Sequence, residues 1–228
     1  MRILGIAGFV AAWAGVAAAV GKPHVLPGPA SVALTLAEMR GEIAHHALRS
    51  LGRVVAGYLA AVAVALPIGW GCGAIPALDR ELARLLALLR PIPPFVWIPL
   101  LLLWVGIGDA SAATVVFAGA LFPILRLARE GVAQAPPALL VAARNLGARG
   151  PRLFFTVQIP AAMPLTRTGL RLGWTLAWMS VVAAELVGAD GGLGQMILDA
   201  RNLARPDIAV AGMVAIGVLA AGTESLLT

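Results

Sequence analysis

Stretches of about 20 mostly apolar residues recur along this chain, and each is long enough to cross a bilayer as a helix. Six segments meet or approach that length: residues 3–20, 51–74, 93–107, 110–125, 168–189 and 208–222. Hydrocarbon offers no hydrogen-bond partners, so backbone that enters it must satisfy itself, and each span is expected to be a helix. The third is short and proline-rich, and the sixth needs a thinner bilayer or a longer helix. The first follows Arg2 and is longer than the apolar core of a secretory signal, so it reads as a retained anchor. Of 228 residues, 60% are apolar and 12% charged, whereas a soluble domain carries about 25% charge. That balance excludes a soluble domain, and it excludes disorder, which needs the reverse. The 26 glycines and 16 prolines follow no fixed period, which rules out collagen and suits helices with breaks. Cys72, the one cysteine, can form neither an internal disulfide nor a zinc cage. The expected fold class is all-α: a polytopic membrane protein of about six transmembrane helices.

Charge sets an orientation. The chain holds 17 Lys and Arg against 11 Asp and Glu, a net +6, and such cations collect in cytoplasmic loops. A cytoplasmic N-terminus puts Arg80, Arg84, Arg90, Arg126, Arg129, Arg144, Arg149, Arg152, Arg167 and Arg171 inside, with Arg2. Only Lys22, Arg40, Arg49, Arg53, Arg201 and Arg205 then lie outside. Both termini are therefore expected to be cytoplasmic. No basic stripe interleaves with aromatics, so nucleic acid is not an expected partner. The chain divides into an N-terminal anchor helix with an outer amphipathic segment, 1–50, and a transmembrane core, 51–228, with a cytoplasmic loop at 127–167. The amphipathic run covers 37–48, and no internal repeat is evident.

The inside loop is the informative part. Pro136-Pro137 suits a helix start, where a missing amide costs nothing. Ala138 to Leu146 favours helix, and Gly147 is placed for the left-handed cap. A second short helix is expected from Pro151, ending near Ile159-Pro160, with Pro164 delaying any restart. Ala142 and Ala143 permit close approach by another surface, and Arg144, Arg149 and Arg152 would ring it. The spacing fits a docking knuckle for a cytoplasmic partner and, equally, an amphipathic helix pair on lipid headgroups.

Residues 141–160 resemble the cytoplasmic loop of ABC importer permeases. That family's pattern is Glu-Ala-Ala, three residues, Gly, then nine or so residues to an Ile-x-Pro or Leu-Pro pair, and the chain offers Ala142, Ala143, Gly147, Ile159 and Pro160 at matching positions. It departs at Val141, where the family usually has Glu. The blocks HVLPGP (24–29), SLGRVVAGY (50–58), LLRPIPPFVWIPLLLLWVGIGD (88–109), GLRLGWTLAW (169–178), VAAELVGADGGLG (182–194) and LDARNLARPDIAV (198–210) are similar to the sulfonate, taurine and nitrate branch. The resemblance covers about residues 24–220. It implies a type I importer permease (MetI-like) core in a bacterial inner membrane. It also implies a second copy of the chain, cytoplasmic ABC ATPase subunits that hold ATP and Mg, and an extracytoplasmic substrate-binding protein. The implied cargo is a small anion, an aliphatic sulfonate or taurine before nitrate or bicarbonate. The coupling loop would use Ala142, Ala143, Arg144, Gly147, Ile159 and Pro160.

The residues themselves agree with a dependent transporter. The chain has no Gly-x-x-x-x-Gly-Lys-Ser/Thr loop, so nucleotide hydrolysis is expected on another polypeptide and no cofactor on this one. An ionisable group in a span is a functional candidate. Glu185 is therefore a candidate to fix a helix end or gate along the pathway rather than to touch an anion, which its charge would repel, or it is a group hydrated at headgroup depth. Pro93, Pro94 and Trp97, with Pro91 and Pro99, either shape a pathway or kink a packed helix. Arg49 and Arg53, one turn apart, either meet an outer anion or binding protein or snorkel to the interface. Gly169 and Gly173 suit close helix packing. His45 and His46 lack a third ligand at zinc spacing. An intramembrane serine protease would need a Gly-x-Ser-Gly setting and a His within a span, and an ion-coupled transporter several buried charges and inverted repeats. Neither pattern is present.

Overall fold

A computed structural model describes residues 2–89 and 92–225; Arg90 and Pro91, both used in the reading above, lie outside the described residues. Helix α1 (Arg2–Val20) leads to α2 (Pro29–Glu38) and to α3 (Arg40–Ala74). The amphipathic run expected as a separate outer segment is instead continuous with the second span from Arg40 onward. Only Met39, between α2 and α3, breaks the pattern, and nothing after it lacks an amide until Pro67. Helix α4 (Pro76–Leu89) is the most amphipathic element, with leucines on one side and Arg80 and Arg84 among its exposed charges. A 3₁₀ turn (Pro94–Trp97), α5 (Ile98–Val105) and α6 (Asp109–Ala133) follow. Prolines at 93, 94 and 99 forbid a regular helix over the expected third span. What forms is an eight-residue helix, about 12 Å long at 1.5 Å per residue, ended by the left-handed Gly106.

Helices α7 (Pro137–Asn145) and α8 (Gly150–Leu153) make the expected turn in the loop. The expected stop at Ile159-Pro160 does not occur. The chain passes through one π-helical turn (Phe154–Gln158) into α9 (Ile159–Gly188), so helix runs from Gly150 to Gly188, 39 residues. Pro160 has no amide to give the Thr156 carbonyl. The wider turn, in which the Ile159 amide reaches Phe154 O, absorbs the defect without ending the helix. Last come α10 (Leu193–Asn202) and α11 (Pro206–Glu224). Among the described residues, the six expected spans thus resolve into four helices long and apolar enough to cross a membrane (α3, α6, Gly150–Gly188 and α11) and two shorter apolar ones.

Helix α6 lies between α3 and α9 and packs along both. The contacts are close because glycines face them. A Cβ at Gly69 would lie 2.7 Å from the Leu125 carbonyl, and one at Gly173 would lie 2.6 Å from Ile124 Cγ1. Gly169 and Gly173 therefore serve packing within the chain. Around this trio Val54, Tyr58, Val116, Ile124, Trp174 and Trp178 form the main core, and the Tyr58 and Trp174 rings meet edge to face at 4.9 Å. At the end of the bundle away from α7, Val32, Ile43, Leu193, Met196 and Ile208 form a second core that joins α2, α3, α10 and α11.

Candidate functional sites at the two ends

The α7 end carries a projecting knuckle. Helix α7 buries none of its residues, and Leu146 just beyond it is 88% exposed. Its end follows the left-handed pattern expected at Gly147, which has φ +86°. The Gly147 amide donates to Arg144 O at 3.0 Å and the Ala148 amide to Ala143 O at 2.9 Å, a Schellman arrangement. No atom lies near a Cβ built on Gly147, so conformation, not space, selects glycine there. Ala142, Arg144, Arg149 and Arg152 are exposed, Ala143 is half-buried, and Val141 is 54% exposed. At the base of the knuckle Leu153 is buried, Ile159 is half-buried and Pro160 is exposed.

The opposite end is closed by an ionic knot. Arg53, on the face of α3 turned to α6 and α9, is 3% exposed. Its Nε donates to Asp109 Oδ1 at 2.8 Å, and a second bond to the same oxygen comes from Nη2. Its Nη1 donates to Glu185 Oε1 at 2.8 Å and to the Gly191 carbonyl at 2.5 Å, and Nη2 also reaches the Asp190 carbonyl at 3.2 Å. Glu185 is 1% exposed. Besides Arg53 it accepts the Ser50 hydroxyl at 2.8 Å and the Gly194 amide at 2.8 Å. Ser50 Oγ accepts the Leu193 amide at 2.9 Å, and His46 Nδ1 accepts the Gly192 amide at 3.0 Å. Three otherwise unpaired amides at the start of α10 are thus capped by His46, Ser50 and Glu185. Gly191 and Gly192 have φ +85° and +112°, and a Cβ on Gly192 would run into the Glu185 carboxylate.

This geometry decides between the sequence alternatives. Glu185 is not hydrated at headgroup depth, because its carboxylate is enclosed and fully bonded. Arg53 does not snorkel, and it offers no free guanidinium to an outer anion: the side chain points inward and every nitrogen is engaged. Arg49 alone of that pair keeps a surface, with Nη2 3.7 Å from Asp109 Oδ1. Pro93 is exposed, Pro94 opens the 3₁₀ turn and Trp97 is half-buried, in a turn packed on α6 and α9. Sequence reasoning missed Ser50, Asp109 and His46 as members of the knot. The signal was present in part: His46, Ser50 and Arg53 fall four and three residues apart, on one helix face.

Comparison with known proteins fits this architecture. A chain in the inward-facing structure of the MetNI methionine ABC transporter superposes with a TM-score of 0.66 at 21% identity, over 84% of this chain and 98% of that one, a likeness of fold. A putative ABC transporter permease of Methanocaldococcus jannaschii is 42% identical over 180 residues, 78% of this chain and 67% of its own length. The taurine transport system permease protein of Escherichia coli is 33% identical over 205 residues, 87% of this chain and 74% of its own. The family of binding-protein-dependent transport system inner membrane components matches residues 63–226, and with that match across most of its length this multi-pass membrane protein belongs to that family of ABC importer permeases.

Proposed function

We propose that this chain is the pathway-forming subunit of an ATP-driven importer of a small anion, taurine or another aliphatic sulfonate ahead of nitrate and bicarbonate. The observation that carries the coupling half of this reading is the knuckle. A capped helix with no buried residue, standing at the turn between α6 and the 39-residue Gly150–Gly188 helix, is a lever that its own chain holds only at the base. A cytoplasmic ATPase, holding ATP and Mg, receives α7 in a surface groove. Its closure tilts α6 and α9 together and so alternates access. Ala142 and Ala143 allow the close approach, Gly147 fixes the angle, Arg144 borders the contact, and Ile159 and Pro160 pass the movement into α9. A second copy of the chain completes the pathway, and a binding protein delivers the anion to the end closed by the ionic knot. In this arrangement the protein sits in a bacterial inner membrane with both termini and α7 in the cytoplasm.

Support for the substrate comes from the taurine permease relative and from the sulfonate-type sequence blocks. The test is reconstitution of the chain with its ATPase and binding protein in proteoliposomes. ATP-dependent uptake of labelled taurine, displaced by short alkanesulfonates, is the expected result. Uptake that proceeds without any nucleotide-hydrolysing subunit would overturn the reading.

A further inference from the structure

The half of the bundle nearer α7 holds a cavity of about 500 Å³ between α4, α6 and α9. Most of its wall is apolar, with Leu86, Phe122, Leu172 and Leu176 contributing. One strip is not: Arg126, Arg129 and Glu130 line it from successive turns of α6. Arg129 is largely committed, with its buried Nε lacking an acceptor among the described residues. Its Nη1 donates to Asp79 Oδ1 at 2.5 Å and the side chain is only 12% exposed. Arg126 is different. Its Nε donates to Glu130 Oε1 at 2.7 Å, the side chain is 42% exposed, and among the described residues neither terminal nitrogen has a protein acceptor.

We propose that this cavity is an anion site on the exit half of the pathway. Arg126 takes the sulfonate head of a small alkanesulfonate there, and the apolar wall takes its carbon chain. A guanidinium presents parallel N–H donors that match two oxygens of an oxyanion. Glu130 occupies the Nε side of Arg126 and so fixes the side chain with its terminal edge unspent. The negative charges of Glu130 and Asp79 work against any anion and are balanced by Arg126 and Arg129, so what selects the anion is the unspent donor edge of Arg126. Apolar walls that displace part of the surrounding water also strengthen each charge–charge contact. They add selectivity, because each methylene withdrawn from water tightens binding about fourfold. Nitrate and bicarbonate carry no chain for the wall to hold. The inference rests on the importer reading above and names the chemistry that the exit side recognises.

Labelling tests the site without relying on transport. Leu172→Cys in a Cys72→Ser background puts a single thiol on the cavity wall, at a position 46% exposed in the parent chain. In the complete transporter in lipid nanodiscs, ethanesulfonate should slow maleimide labelling of that thiol at least threefold, and sodium nitrate at equal ionic strength should not. Arg126→Gln should remove the protection and Arg126→Lys weaken it. No protection by ethanesulfonate with Arg126 intact, equal protection by nitrate, or protection that survives Arg126→Gln overturns the site. If those results accompany ATP-driven sulfonate uptake by the unsubstituted complex, the importer reading stands without it. Protection in a complex that takes up no anion supports the site and sinks the importer reading instead.

Discussion

Glu185 is tolerable in the bundle because Arg53 faces it, and Arg53 because Glu185 and Asp109 share its charge. Removing one partner of a buried ion pair leaves an uncompensated charge and costs about 3–5 kcal/mol, whereas replacing both with apolar groups costs much less. Glu185→Gln and Arg53→Met should therefore each lower the unfolding midpoint of the purified chain in detergent. The double variant Arg53→Met/Glu185→Leu should fall by clearly less than the sum, though not to zero, because Arg53 also holds Asp109 and two loop carbonyls. Strictly additive losses would show that the pair is not coupled. Gly192→Ala meets a different obstacle. Its φ of +112° is hostile to any side chain, and the methyl would displace the carboxylate that caps α10. It should destabilise as much as Glu185→Gln, and it should not be additive with it. Both charges could be picked out in the sequence as ionisable groups at span ends. Their pairing could not, because 132 positions separate them and no local period links α3 to α9.

At the scale of elements, punctuation by glycine and proline was readable where it acts alone and misleading where the helix could adjust around it. The start of α7 at Pro137 and its left-handed end at Gly147 follow from the residues themselves. Pro160 looked equally decisive as a stop, yet one π-helical turn carries the helix past it, because a single missing amide can be accommodated when flanking turns are anchored by packing on α6. The fused α3 was hidden for a related reason: an amphipathic stretch and an apolar one look like two elements, but both favour the same backbone. The knuckle supplies the prediction at this scale. Holding a β-branched residue in the left-handed region costs roughly 1–2 kcal/mol, and Gly147 stands clear of other atoms. Gly147→Val should thus misdirect α7 without unfolding the spans: an unchanged thermal midpoint with loss of ATPase association or of coupled uptake. Gly147→Asn, which enters that region more readily, should retain more coupling than Val. Equal activity of all three would remove α7 from the coupling path.

Across the whole molecule, charge is sorted by what each end must do. Ion pairs consume cations at both ends, Arg53 with Glu185 and Arg205 with Asp207 at one, Arg126 with Glu130 and Arg129 with Asp79 at the other. Among the described residues, cations without an ion-pair partner are more numerous toward the α7 end, where Arg80, Arg144, Arg149, Arg152, Arg167 and Arg171 lie, than toward the other, where Lys22, Arg40 and Arg201 lie. Unpaired Arg resists translocation, so the proposed orientation keeps the α7 end in the cytoplasm. That orientation can be measured with two single-cysteine variants in a Cys72→Ser background: Leu146→Cys at the knuckle and Leu203→Cys between α10 and α11, positions 88% and 70% exposed in the parent chain. In intact spheroplasts lacking the partner ATPase, a membrane-impermeant maleimide should label the position-203 thiol. The position-146 thiol should react only after permeabilisation. The opposite pattern would place the knuckle away from any ATP-bearing subunit. The lever would then have no engine, however well the chain matched its relatives.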